Sequence, residues 1–179
     1  DVSGKTSIDF SNLDEPVYDG SFTALQIEVN DFLSRFTKFG GFVFGKFDFN
    51  GDYNAAGLDG DRFLNTLTMN SLADMTQGKL VTSGAIHDGL SQLAELAGIS
   101  VDQEQLLRDV SSKVVVENGR VRVDDLSSTL GKFGDVTLSG FYSFEGDLDY
   151  SGSILLSKET TRKVLSNKSL LGKAGGVLK

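Results

Sequence analysis

From Val114 to Leu156 apolar and polar residues alternate with almost no interruption, and the stretch reads as strand, tight turn, strand, turn, strand, bend, strand. A two-residue pleat repeat of this kind puts alternate side chains on opposite faces of a sheet. Asn118-Gly119 marks the first turn, because both central residues of a type I′ hairpin need positive φ, which Asn and Gly tolerate. Val114, Val116, Val121 and Val123 fall in one phase, while Glu117, Arg120 and Arg122 fall in the other. Farther on, Val136, Leu138, Tyr142 and Phe144 share a phase that Leu148 and Tyr150 extend. The pattern predicts a sheet with one apolar face and one wet face.

Upstream the pattern is mixed. Residues 1–29 are strand-rich, with alternation at Ser7–Phe10 and again at Leu25–Val29. Asn30 or Asp31 can cap a short helix carrying Phe32, Leu33, Phe36 and Phe39 on one side, stopped by Gly40-Gly41. Phe42–Gly51 reads as a strand. Gly57–Gly60 reads as a turn, from which Asp59 or Asp61 starts a helix with Phe63, Leu64 and Leu67 inward. Ser71–Val81 is extended. His87–Ala97 carries Leu90, Leu93, Ala94 and Ala97 at helical spacing, with Gly98 as its stop. Leu106, Leu107 and Val110 predict a further helix over Val101–Val110, and Lys158–Leu165 a last short one. A loose echo links Phe42–Tyr53 with Val136–Tyr150, but no fixed period makes it a solenoid.

Composition narrows the class. A chain of 179 residues with 21 Gly, 13 Phe, one Pro and no Trp suits many short, bent strands in a single domain. The net charge of −8 and the lack of a basic stripe with interleaved aromatics argue against a nucleic-acid partner. Charge is unevenly spread: the tail from Ser157 carries +5, leaving −13 over residues 1–156. Such a tail suits either a solvated helix face or an anionic membrane surface. The absence of cysteine excludes disulfides, thiolate catalysis and zinc–thiolate sites. No signal peptide and no apolar run of about 18 residues is present. Because Asp1 is not an initiator methionine, the chain is expected to be processed or excised from a longer one.

Residues with chemical potential are few and scattered. His87 is the single histidine and has no partner set for a metal. Asp48–Tyr53 imitates a calcium loop, but Tyr53 stands where the turn glycine belongs and Asp59 where the glutamate belongs. Gly131-Lys132 imitates a phosphate-binding loop, yet Leu126 replaces its first glycine and Phe133 its hydroxyl residue. Asn167-Lys168-Ser169 is a chance glycosylation sequon. The pairs Asp124/Asp125 and Asp147/Asp149 read as turn or solvent-face residues. A hydrolase acting on envelope components would need a nucleophile and base that one histidine and no cysteine do not supply. No catalytic residue, cofactor site or metal site is assigned.

The segments Val116–Leu126 (VENGRVRVDDL), Gly134–Gly140 (GDVTLSG) and Gly146–Tyr150 (GDLDY) together resemble the C-terminal region of AsmA-like proteins. Gly45–Gly51, the helix around Phe63–Leu67 and Gly78-Lys79-Leu80 fit the same layout, so the resemblance spans roughly Phe36 to Leu156. It implies a periplasmic domain of a protein held in the inner membrane of Gram-negative bacteria by an N-terminal helix. It further implies a non-catalytic part in outer-membrane assembly, by phospholipid binding or transfer along an apolar β-groove like that of bridge-like lipid-transfer proteins. Two departures stand out: the anchor is missing, and beyond Gly175-Gly176 the family continues into further strands. Both fit an excised fragment with open sheet edges.

The combined expectation is an α+β fold: a curved, mainly antiparallel, groove-like sheet with three or four short helices. Its parts are a strand/helix region (about 1–110), a β-meander (112–156) and a basic tail (157–179). The residues expected to face lipid are Val114, Val116, Val121, Val123, Val136, Leu138, Tyr142 and Phe144. The competing expectation is a structural or protein-interaction module of the cell envelope that works through its sheet edges without binding lipid.

Overall fold

The computed structural model describes residues 1–36, 40–97 and 99–166. The side chains of Phe36, Leu93 and Ala97 lie outside what is described. So do Phe39, Gly98 and the tail from 167, with its sequon and Lys168, Lys173 and Lys179.

Among the described residues, eight strands form one open sheet in chain order: β1 (Val2–Asp9), β2 (Val17–Glu28), β3 (Val43–Ala56), β4 (Thr68–Val81), β5 (Glu104–Glu117), β6 (Arg120–Leu130), β7 (Gly134–Ser143) and β8 (Leu148–Leu156). Each pairs antiparallel with the next, so the whole sheet is a meander. Four short helices interrupt or follow it: α1 (Val29–Phe36), α2 (Gly60–Thr66), α3 (Gly84–Ala97) and α4 (Lys158–Ser166). The expected α+β class, with its curved antiparallel sheet and short helices, is the observed one.

Register partners stand side by side on the same face. One row across all eight strands reads Gly4, Phe22, Gly51, Ser71, Val114, Val123, Gly140, Tyr150. The next reads Thr6, Gly20, Tyr53, Met69, Val116, Val121, Tyr142, Leu148. Neither row holds a charge. The opposite face carries the cross-strand ion pairs, including Lys46–Glu28 at 3.6 Å, Lys79–Glu104 at 2.9 Å and Arg122 between Glu117 and Asp124. These pairs are exposed and contribute little stability each. They make much of the second face polar, although Val115, register partner of Arg122 on that face, is buried.

The strands bend at bulges. The register shifts between Ala24 and Ile27 on β2, between Arg108 and Ser111 on β5, and between Val123 and Leu126 on β6. At each shift one residue takes positive φ: Gln26, Asp109 and Asp125. Neighbouring strands satisfy two of the displaced amides, Asp48 Oδ1 accepting from Gln26 N (2.8 Å) and Ser139 Oγ from Asp125 N (3.0 Å). Bulges increase local twist and bend the strand, so a sheet carrying several of them curls.

The helix expected over Val101–Val110 does not form; from Glu104 onward the segment is the first half of β5, which pairs with β4 from Val81↔Glu104 to Met69↔Val116. The bulge at Asp109 explains the misreading. In a regular strand inward positions recur every two residues, but a bulge lengthens one step to three. Leu107 and Val110 therefore imitate a helical interval while both belong to a strand. Leu106, taken for a third inward residue, is 40% exposed. Two smaller expectations also change. Asn30 lies inside α1, where its Oδ1 accepts from Gly41 N (2.7 Å), rather than capping it. Leu64 points out of α2 at 46% exposure, and Asp59 is the residue that caps that helix, accepting from Arg62 N at 2.7 Å.

The helices sit over the apolar face. Phe32 of α1 meets Phe47 and Phe49 of β3 at ring-centroid distances of 5.4 and 6.4 Å. Phe63 of α2 meets Tyr18 of β2 edge-on at 5.6 Å. Leu90 and Ala94 of α3 close with Leu130 and Phe133 into the main core, flanked by Leu80, Leu107, Val136 and Ile154. Phe133 is fully buried, and Lys132 O beside it accepts from Thr160 Oγ1 (2.9 Å) and Ser157 Oγ (3.1 Å) at the start of α4.

Candidate functional site

The helices leave part of the apolar face without a cover. Phe32 and Phe63 pack over β2 and β3, and the core around Leu90 lies over the ends of β4 to β8 marked by Leu80, Leu130 and Ile154. Among the described residues that core stops short of Val114, Val116, Val121 and Val123. Among the described residues, the face next to the β5–β6 and β7–β8 turns therefore has an apolar floor that lies outside the core around Leu90.

Register joins the expected lipid-facing residues. Val114 faces Val123 and Val116 faces Val121, while Val121 faces Tyr142 and Leu138 faces Leu126. Five of the eight (Val114, Val121, Val123, Leu138, Tyr142) lie half-buried in this uncovered area. The other three fall elsewhere. Val116 is only 5% exposed and acts as wall rather than surface. Val136 packs against the core beneath α3. Phe144 lies just beyond β7, its amide donating to Gly119 O (2.8 Å), and at 42% exposure belongs to the rim.

Two aromatic residues shape the floor by lying down on it. Tyr53 crosses Gly20 of the neighbouring strand, where a Cβ would come within 2.9 Å of its ring, and its hydroxyl reaches Thr6 Oγ1 at 2.6 Å, one strand farther on. Tyr150 lies over Gly140 in the same way. Burial raises the Tyr150 phenol above the ordinary tyrosine pKa, because ionising it would place a charge against an apolar surface. Glycines under rings keep the floor low. Sequence phase alone identified the aromatic positions but not the glycines opposite them; the recurring Gly on the same face was the available signal.

A shallow concavity of about 470 Å³ sits on β7 and β8, lined by Val136, Leu138, Gly152 and Ile154 of the apolar face and by Thr137 and Ser153, which alternate with them. Another, of about 550 Å³, opens between β1, β2 and β3 and is polar, with Lys5, Ser7, Asp19, Ser21 and Asp52 around it. Neither is an enclosed pocket.

His87 is exposed in the first turn of α3, and its amide donates to Ser83 O at 3.4 Å. Among the described residues, no three His, Cys, Asp or Glu side chains group as metal ligands, and no helix is long and apolar enough to cross a membrane. Asp48–Tyr53 is strand within β3, and Phe133 of the imitation phosphate loop is a core plug. What the arrangement offers chemically is an uncharged, partly open apolar surface. No family model, curated protein or solved structure matches this chain.

Proposed function

We propose that this chain is a non-catalytic lipid-handling domain that lays acyl chains along the apolar face of its sheet. The supporting observation is that the two register rows crossing all eight strands carry no charge, while the helices roof only part of that face. Acyl chains would lie over Val114, Val121, Val123, Leu138 and Tyr142, with headgroups left at the rim. Each CH₂ withdrawn from water contributes about 0.8 kcal/mol. About eight of them would give roughly 6 kcal/mol before the cost of association, which suits reversible holding and transfer.

The resemblance to AsmA-like proteins supports the same reading. On that resemblance the domain would stand in the periplasm, in a protein anchored in the inner membrane that takes part in outer-membrane assembly. Native mass spectrometry of the purified chain, with organic extraction and added phosphatidylethanolamine, tests the lipid claim. A near-stoichiometric lipid adduct is expected. A clean apo mass with no uptake overturns it.

One observation favours a second reading, an envelope interaction module without lipid. Among the described residues, no strand pairs with the outer side of β1 or β8, an arrangement that suits strand addition.

A further inference from the structure

We propose that the Asn118-Gly119 turn is a site of spontaneous deamidation that opens the β5–β6 hairpin, while the same dipeptide at Asn50-Gly51 is spared by the fold.

The step needs only water and hydroxide. Hydroxide takes the proton of the Gly119 amide, whose nitrogen attacks Asn118 Cγ. A new N–C bond closes a cyclic succinimide, and the side-chain nitrogen leaves as ammonia after taking a proton from water, which restores the hydroxide. Water then opens the ring at one of its two carbonyls, giving aspartate or isoaspartate. Asn-Gly favours this reaction because glycine has no Cβ to crowd the closing ring.

The chain contains Asn-Gly twice, at 50–51 and at 118–119. Both asparagines are exposed, so the backbone decides between them. Gly51 lies inside β3, in register with Phe22 of β2 and Ser71 of β4, and strands on both sides hold it. It is also packed tightly, since a Cβ there would collide with Asn70 O. Swinging its nitrogen toward Asn50 would part the sheet. Asn118 and Gly119 instead form the β5–β6 turn, with φ of 52° and 69°, and the ladder ends at Glu117↔Arg120. Among the described residues, no backbone hydrogen bond holds the Gly119 nitrogen. A Cβ on Gly119 would meet nothing closer than Phe144 Cδ2 at 3.8 Å, which leaves room for the ring.

The two products differ in consequence. Aspartate keeps the hairpin, because Asp-Gly suits the same type I′ turn. Isoaspartate routes the chain through Cγ and adds a methylene to a two-residue turn, which then cannot hold Glu117 opposite Arg120. The change reaches the β7–β8 turn as well, because Gly119 O accepts from Phe144 N at 2.8 Å. It falls beside Val116 and Val121 of the apolar face.

Incubation of the intact chain at mildly alkaline pH, followed by peptide mapping, tests this. Aspartate and isoaspartate should accumulate at 118 at a rate that rises with hydroxide. Asn50 should react about tenfold more slowly or less, a factor of ten being about 1.4 kcal/mol of added barrier. In urea the two sites should react at similar rates. The isoaspartyl form, separated by ion exchange, should melt below the Asn118→Asp variant. An Asn118 no faster than Asn50 in the folded chain overturns the proposal. So does a difference that persists in urea, which would trace it to local sequence, or an isoaspartyl form that melts with Asn118→Asp, which would mean that the hairpin stays closed.

Discussion

Gly140 of β7 lies beneath the ring of Tyr150 on β8. A Cβ at position 140 would stand 2.6 Å from Tyr150 Cδ1 and 2.2 Å from the carbonyl oxygen of Asp149. The restriction is one of space, since Gly140 is not among the residues with positive φ. Gly140→Ala must push the ring up or part the two strands. Overpacking of this kind costs about 1–3 kcal/mol. Urea unfolding should show that loss, and a variant as stable as the parent would mean that the ring does not rest on the glycine.

Phe133 carries the clearest stability prediction. It is fully buried with Leu90, Ala94 and Leu130, where the β6–β7 turn meets α3. Phe133→Ala leaves a cavity that a rigid turn cannot collapse, and such truncations cost about 3–5 kcal/mol. A drop in the urea midpoint of that size is expected. A loss under about 1 kcal/mol would place the core elsewhere.

Tyr150 predicts a pH dependence. Its phenol pKa is raised in the folded chain by burial, so above the ordinary tyrosine value, near 10, the folded state holds a proton that the unfolded state has released. Stability from this group is fully present below that value and is lost as pH rises through the raised pKa. Tyr150→Phe should flatten the decline in urea midpoint between about pH 9 and pH 11. Parallel declines in parent and variant would show that the ring is not desolvated.

The meander from Val114 to Leu156 was legible because its strands follow one another through tight turns and its faces alternate. Asn118 and Gly119 both take the positive φ that a type I′ turn requires. Leu25–Val29 was less legible. Its alternation looks regular, yet the bulge at Gln26 leaves Leu25 44% exposed and turns Ala24 and Ile27 inward together. The same device at Asp109 made a strand resemble a helix. Bulges are long-range features, closed by partners such as Asp48 and Ser139 on neighbouring strands, and local periodicity does not carry them. Of the site, phase identified the valines correctly as one face. It could not tell that Val116 is wall and Val136 is core, because that depends on where α3 lands.

The distinction between wall and surface gives the last prediction. Val116 is 5% exposed, flanked in register by Met69 and Val121, and an aspartate there would bury an unpaired charge. Val116→Asp should therefore unfold the chain or neutralise its carboxyl at a cost of several kcal/mol. Leu138 is half-buried on the uncovered face, and an aspartate there can reach water. Leu138→Asp should fold, with a melting temperature within about 5 °C of the parent, and lose phospholipid uptake in the native mass measurement. Circular dichroism and lipid binding measured on the same samples separate the two effects. If Leu138→Asp unfolds as Val116→Asp does, position 138 is core and the uncovered face is narrower than proposed. If it folds and still takes up lipid, acyl chains do not lie on this face.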